Sequence, residues 1–334
     1  MPSLVALDEE WGDDMRFGAF VPQGWRMDLV GVPVEEQWPT MLKAAHRIED
    51  LGYETAWVYD HFHTVPHATQ EPTYECWTLM AALAASTSRV RLGQMCTCNS
   101  YRNPAHLAKV ASSVDVISGG RLEFAIGAGW YVEEYLAYGY EYPRDGVRLA
   151  QLDEAVQIIK KMWTDDEATF EGKHYSVRGA INRPKPLQSP HPPMWIAGGG
   201  EQKTLRLVAR YGDYSNVAGT VDVFQRKNRI LDEHCAEIGR DPSEVGRTCH
   251  MFVTVADSEA ALRSSVERVA SQIGRTVEKF LASAQTVAGT PQQVIDRLGE
   301  YQDAGCSYIT AYFGDVVWGE SMEVFASEVM PALR

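Results

Sequence analysis

Strand-like and helix-like hydrophobic patterns alternate along almost the whole chain, and that alternation limits the fold more than any other feature. Strand-like runs are MRFGAFVP from 15, YETAWVYD from 53, RVRLGQMCT from 89, LEFAIGA from 122, PMWIAG from 193, YSNVAG from 214, TCHMFVTVA from 248 and SYITAYFG from 307. Between them apolar residues recur at helical spacing, as in Trp38, Met41, Leu42, Ala45 and Ile48, or Leu107, Val110, Ala111, Val114 and Ile117. Strands separated by helices pair in parallel, because each crossover carries the chain back to the same edge. Eight such units predict a closed (β/α)8 barrel rather than an open doubly wound sheet, and 334 residues suit one barrel with insertions. Local punctuation agrees: Pro104 and Pro291 open helices, Thr290 and Gln293 have capping-box spacing, and Gly119-Gly120 and Gly239 close helices.

Residues 1–14 read as a flexible acidic tail and 15–334 as a single barrel domain, for which Met15 would serve as a start. Two stretches exceed ordinary loops. Residues 164–192 hold a hairpin-like FEGKHYSV and a proline-rich segment, and 257–288 look largely helical.

With 31 Lys and Arg against 45 Asp and Glu, the net charge is −14, which argues against a nucleic-acid or anionic-membrane partner. A small-molecule substrate is the expected partner. No apolar leader or membrane-length run occurs, and the six cysteines show no CxxC spacing, so the expected compartment is the cytoplasm and the thiols are expected to be reduced.

In a barrel of this kind the active site gathers where strands end at their C-terminal mouth. The second run ends in Tyr59-Asp60-His61-Phe62-His63, an acid beside an imidazole. The fourth ends in Gly127-Ala128-Gly129-Trp130-Tyr131, where small residues allow close approach of a flat ring and aromatics offer a wall. As a dinucleotide fingerprint it fails, since Val132 occupies the third glycine position. The fifth leads into Gly198-Gly199-Gly200-Glu201-Gln202-Lys203-Thr204, glycines before a helix that expose amides to a phosphate. A metal-dependent hydrolase is the rival reading of His61-x-His63, but it needs further ligands, and His174 and His250 stand at unsuitable places. A non-catalytic flavin carrier on the same barrel is a third reading.

The segments MRFGAFVPQGWRMDLVG, VYDHFHTVP, LGQMCTCNSYRNPAHLAKVASSVDVISGGRLEFAIGAGWY and GGGEQKTLRLVARYGDYSN together resemble the luciferase-like monooxygenase superfamily, and more narrowly its actinobacterial deazaflavin-dependent branch. The resemblance implies a luciferase-like barrel that holds coenzyme F420, or alternatively FMN, at its mouth, commonly as a homodimer. It implies that Asp60 contacts the cofactor ring and that His61 is the catalytic imidazole. It implies that Met95, Cys96 and Thr97 lie against the ring, with a non-prolyl cis peptide in that segment. Ala128, Gly129 and Trp130 would border the cofactor, and Gly198, Gly199, Gly200, Glu201 and Gln202 would hold its phosphate. The implied activity is hydride transfer to an activated C=C or C=N bond, with FMN-dependent monooxygenation as the alternative. The sugar-phosphate dehydrogenases of this family place a glutamate where Trp130 stands; Glu133 and Glu134 near by are expected to do no more than support the site.

Overall fold

The computed structural model describes residues 14–334, so the expected tail lies outside them apart from Asp14. The eight barrel strands are β1 (Arg16–Phe20), β2 (Thr55–Val58), β3 (Arg91–Gln94), β4 (Leu122–Gly127), β5 (Met194–Ala197), β6 (Tyr214–Asn216), β7 (Gly246–Val255) and β8 (Tyr308–Phe313). Each falls inside one of the eight runs, apart from the start of β7, which reaches two residues earlier. All pair in parallel with their neighbours, β1 with β8 through Arg16↔Tyr308 and β6 with β7 through Tyr214↔Gly246, so the barrel closes without a free edge.

Two apolar layers hold it. Outside the strands, Phe17, Val58, Leu92, Phe124, Ile196 and Ile309 are fully buried against the helices. The helix Val34–Asp50 presents Met41, Ala44, Ala45 and Ile48, and Pro104–Ser118 presents Leu107, Ala108, Ala111 and Val114. Ile117, expected on that face, is half exposed at 52%, because Gly119 turns left-handed (φ 72°) and ends the helix just beyond it. Inside the barrel, Trp57, Trp195, Tyr214 and Tyr308 form an aromatic floor, with Trp195 stacked on Tyr214 at 4.0 Å. Trp57 needs room that only glycine leaves: a Cβ on Gly18 or Gly93, on the strands flanking it, would lie 2.3 or 2.2 Å from its indole. Below the rings Arg91 and Trp195 Nε1 both donate to Glu123, so the buried charge is paired.

The insertion after the helix Asp145–Thr164 is an antiparallel hairpin, Ala168–Glu171 with Ser176–Ala180. The second long segment holds helices Glu259–Gln272 and Val277–Leu281, as expected, but ends in an unexpected strand, Thr286–Gly289. That strand adds to β7 outside the barrel circuit, through Phe252↔Thr286 to Val255↔Gly289, and extends the wall above the mouth. Its sequence TVAG is too short to show a period. All six cysteines are free, and no described helix is long and apolar enough to cross a membrane.

Candidate functional site

A cavity of about 690 Å³ opens at the C-terminal ends of the strands, a size suited to a cofactor-sized molecule. Its wall includes Asp60, His61, Met95, Cys96, Ala128, Gly129, Trp130 and Gly198 to Gly200, so four separate strand ends expected to meet do meet there. Thr97, Glu201 and Gln202 are off that wall. Thr97 is fully buried and, by strand alternation, faces away from the side that Cys96 and Cys98 present to the cavity. Glu201 turns outward to ion pairs with Lys227 (2.7 Å) and Arg226 (3.1 Å), while Gln202 is exposed where the chain bends into the next helix.

His61 is the most constrained polar group at the mouth. Its Nδ1 lies 2.8 Å from Glu134 Oε2, its ring stacks on Trp25 at 4.0 Å and 5°, and Tyr131 closes on it edge-on at 5.9 Å. Glu134, on the short helix Val132–Ala137, is fully buried. Its Oε1 accepts from the backbone N–H groups of Phe62 (2.7 Å) and His63 (2.8 Å), and its Oε2 also accepts from the Tyr101 hydroxyl (2.8 Å). Burial pushes this carboxyl up, but the His61 hydrogen bond and charge and the two amides outweigh it and hold Glu134 below its usual range. An ionised Glu134 makes Nδ1 the proton-bearing nitrogen, which leaves Nε2 without a protein partner among the described residues. This glutamate does more than the supporting part the sequence suggested, since it fixes the tautomer and plane of the imidazole.

Asp60 is 1% exposed and its carboxylate is already engaged. Arg102 binds both oxygens at 2.6 and 2.9 Å, and the Cys98 amide donates at 2.8 Å. It therefore joins the second strand end to the third while forming cavity wall. The Met95–Cys96 peptide is cis, in the segment where such a bond was expected. The fourth strand end is flat for steric reasons. Cβ atoms on Gly127 and Gly129 would fall 2.7 Å from Cys96 Sγ and 1.8 Å from Tyr135 Oη, and Gly129 has φ 78°. At the other end of the cavity the glycine turn leads through Lys203 into the helix Thr204–Tyr211, and Thr204 lines the wall. A Cβ on Gly199 would meet nothing nearer than 3.6 Å, so that edge of the turn is open.

The rival metal reading gains no ligand set: among the described residues no three of His, Cys, Asp and Glu converge. His63 packs against Tyr138 at 5.3 Å. His250 is spent on Thr310 through Nδ1, and burial together with the Arg26 charge pushes it down to about 3. Trp25, Arg26, Tyr101 and Arg102 were not foreseen. Trp25 and Arg26 lie just past the end of β1, so the strand-end rule alone points to them; Tyr101 lines the cavity and Arg102 acts from behind its wall, and no local pattern reveals either.

The luciferase-like monooxygenase family model matches residues 15–276. Among curated proteins, F420-dependent glucose-6-phosphate dehydrogenase of Amycolatopsis mediterranei is 27% identical over 88% of this chain and 94% of its own length. The Kineococcus radiotolerans protein of the same name is 27% identical over 87% and 91%. Among solved structures, an F420-dependent secondary alcohol dehydrogenase with an F420-acetone adduct superposes with a TM-score of 0.77 at 23% identity, covering 96% of this chain and 99% of that one. The coenzyme F420 dependent tetrahydromethanopterin reductase of Methanopyrus kandleri gives 0.75 at 19%, covering 96% and 100%. At those identities the structural likeness establishes the fold.

Proposed function

We propose, on the premise that the chain belongs to the luciferase-like monooxygenase family, that it is an oxidoreductase using coenzyme F420 to reduce a small organic molecule at an activated C=C or C=N bond. The observation that carries this is the aimed imidazole: His61, with Nδ1 tied to Glu134 and Nε2 on a cavity that runs to an open glycine turn. The curated relatives named above are F420-dependent, which favours the deazaflavin over FMN.

The cavity fits such a cofactor. The strand end at Gly127 to Gly129 leaves a plane for a flat ring system, and the turn at Gly198 to Gly200 offers amides ahead of a helix for a phosphate. When bound, reduced F420 supplies the hydride, and the protein supplies everything else. Trp25 and Tyr131 hold the His61 ring in one plane, and Glu134 keeps its proton on Nδ1 between turnovers. A second proton, taken up from solvent at Nε2, makes the imidazolium that Glu134 stabilises; Nε2 delivers it alongside the hydride, so the acceptor gains two electrons and two hydrogens and His61 returns to its Nδ1–H form. Trp130, 60% exposed at the rim, stands where a dehydrogenase of sugar phosphates would carry its glutamate, and this favours a less polar substrate.

Titrating the pure protein separately with F420 and FMN, then mixing reduced F420 with 2-cyclohexenone as a reporter acceptor, tests the reading. Tighter F420 binding with acceptor-dependent reoxidation is expected. Tighter FMN binding, or no reoxidation with any activated alkene or imine, would overturn it.

A further inference from the structure

The charges around the cavity do not balance, and the imbalance is local. Two acids line it, Asp60 and Asp145, and each is paired with an arginine: Asp60 with Arg102 at 2.6 Å, Asp145 with Arg148 at 2.9 Å. One cationic side chain lines it among the described residues, Arg26, and no carboxylate there pairs with it. Its guanidinium lies over three aromatic faces, Trp25 at 4.1 Å, Phe252 at 4.6 Å and Tyr59 at 5.5 Å, and donates towards the neutral Tyr59 hydroxyl, while its Nε is buried with no hydrogen-bond partner. Asp28, two residues along, is occupied with the amides of Gln23 and Gly24 and the Tyr312 hydroxyl. Burial holds the Tyr59 phenol protonated, well above its usual range, and burial keeps His250 neutral, so neither compensates the charge.

A cation whose Nε–H is buried without an acceptor is costly unless a ligand completes it. Arg26 is also held in place, since Gln272 from the long inserted helix donates to its carbonyl at 3.2 Å and Trp318 donates to Gln272 at 3.5 Å. It stands one indole away from His61, because Trp25 contacts both.

We propose that Arg26 is the substrate-recognition cation of this enzyme, and that the substrate is a flat, conjugated carboxylate whose anionic end lies on Arg26 while its reducible bond reaches His61. This rests on the reading of the cavity as a cofactor-assisted reduction site. One uncompensated arginine matches a monoanion, and a planar guanidinium matches a carboxylate in bidentate fashion. The aromatic faces around it match a conjugated body rather than a sugar.

The test uses benzoate and its neutral counterpart benzamide as probes, followed by quenching of tryptophan fluorescence from Trp25 and Trp130, with and without bound F420. Wild-type protein is expected to bind benzoate at least tenfold more tightly than benzamide, whether or not F420 is present. Arg26→Gln is expected to abolish that preference and leave F420 affinity unchanged; Arg26→Lys, which keeps the charge without the planar fork, is expected to retain part of it. Circular dichroism melting confirms that both variants are folded, and if Arg26→Gln is not, the Arg26→Lys and wild-type preferences decide. Equal binding of the two probes by wild type, an unchanged preference in Arg26→Gln, or displacement of benzoate by F420 would each overturn the assignment. Failure of F420 to bind, with the benzoate preference intact and lost in Arg26→Gln, would overturn the cofactor reading alone.

Discussion

Replacing Glu134 by glutamine removes one charge and almost no volume, and the geometry dictates where the amide must point. Phe62 and His63 present two backbone N–H donors at 2.7 and 2.8 Å, so the amide oxygen takes that side and the amide nitrogen faces His61 and Tyr101. A donor now meets a donor at His61 Nδ1, and the conflict is relieved by moving the imidazole proton to Nε2. All four hydrogen bonds lose their anionic acceptor, and a bond to a charged group exceeds a neutral one by about 1 kcal/mol, so up to about 4 kcal/mol of stability is at stake. During turnover the same carboxylate stabilises the imidazolium. Its loss is expected to lower the rate about 10- to 100-fold, at about 1.4 kcal/mol per factor of ten. Urea denaturation reads the first quantity, steady-state reoxidation of reduced F420 the second, and nitrogen NMR of the His61 ring the tautomer. A Glu134→Gln protein that is folded, binds F420 normally and turns over within twofold of wild type would refute the argument. So would a variant whose His61 proton remains on Nδ1.

Other expectations follow from neighbouring features. His61→Ala should keep F420 affinity and lose about 10²- to 10⁴-fold in turnover, checked by titration beside steady-state rates; normal turnover would move the proton to another donor. Gly199→Val should fold, since its Cβ would meet nothing nearer than 3.6 Å, yet bind F420 much more weakly, as a cofactor titration would show. Glu49 takes the amides of Ser88, Arg89 and Val90; burial raises its pKa, but these bonds outweigh it and bring the carboxyl down from 4.5 to about 2. Its contribution is therefore complete above about pH 4.5 and is lost as pH falls towards 2, so acid unfolding of Glu49→Gln should start from lower stability and fall less steeply over that window.

The barrel strands were legible because parallel strands buried on both faces are continuous apolar runs, and each of the eight runs contains one. The strand Thr286–Gly289 was not, since four residues ending in glycine carry no period. Asp60, His61 and the glycine turn stand out because their residue types are unusual at strand ends. Glu134 does not. It looks like a helix surface residue, and only the fold reveals that the helix lies against the His61 loop, where a carboxylate meets two free amides. Glu201 illustrates the opposite: its place in the turn suggested a ligand, and Lys227 and Arg226, distant in sequence, draw its side chain outward in a way no local pattern shows.

The fit of Trp57 over Gly18 and Gly93 has an evolutionary consequence. Neither glycine can gain even a methyl group while the indole remains, and shrinking the indole first would leave a void under the active site. A lineage of this protein can change Gly93 only together with Trp57, and Gly18 only together with both Trp57 and Tyr308, through intermediates that are less stable than either endpoint. Side chains at the mouth that face the open cavity, such as the 60% exposed Trp130, are free of that restriction. Chemistry at the rim can therefore diversify by single steps while the floor that supports it stays locked.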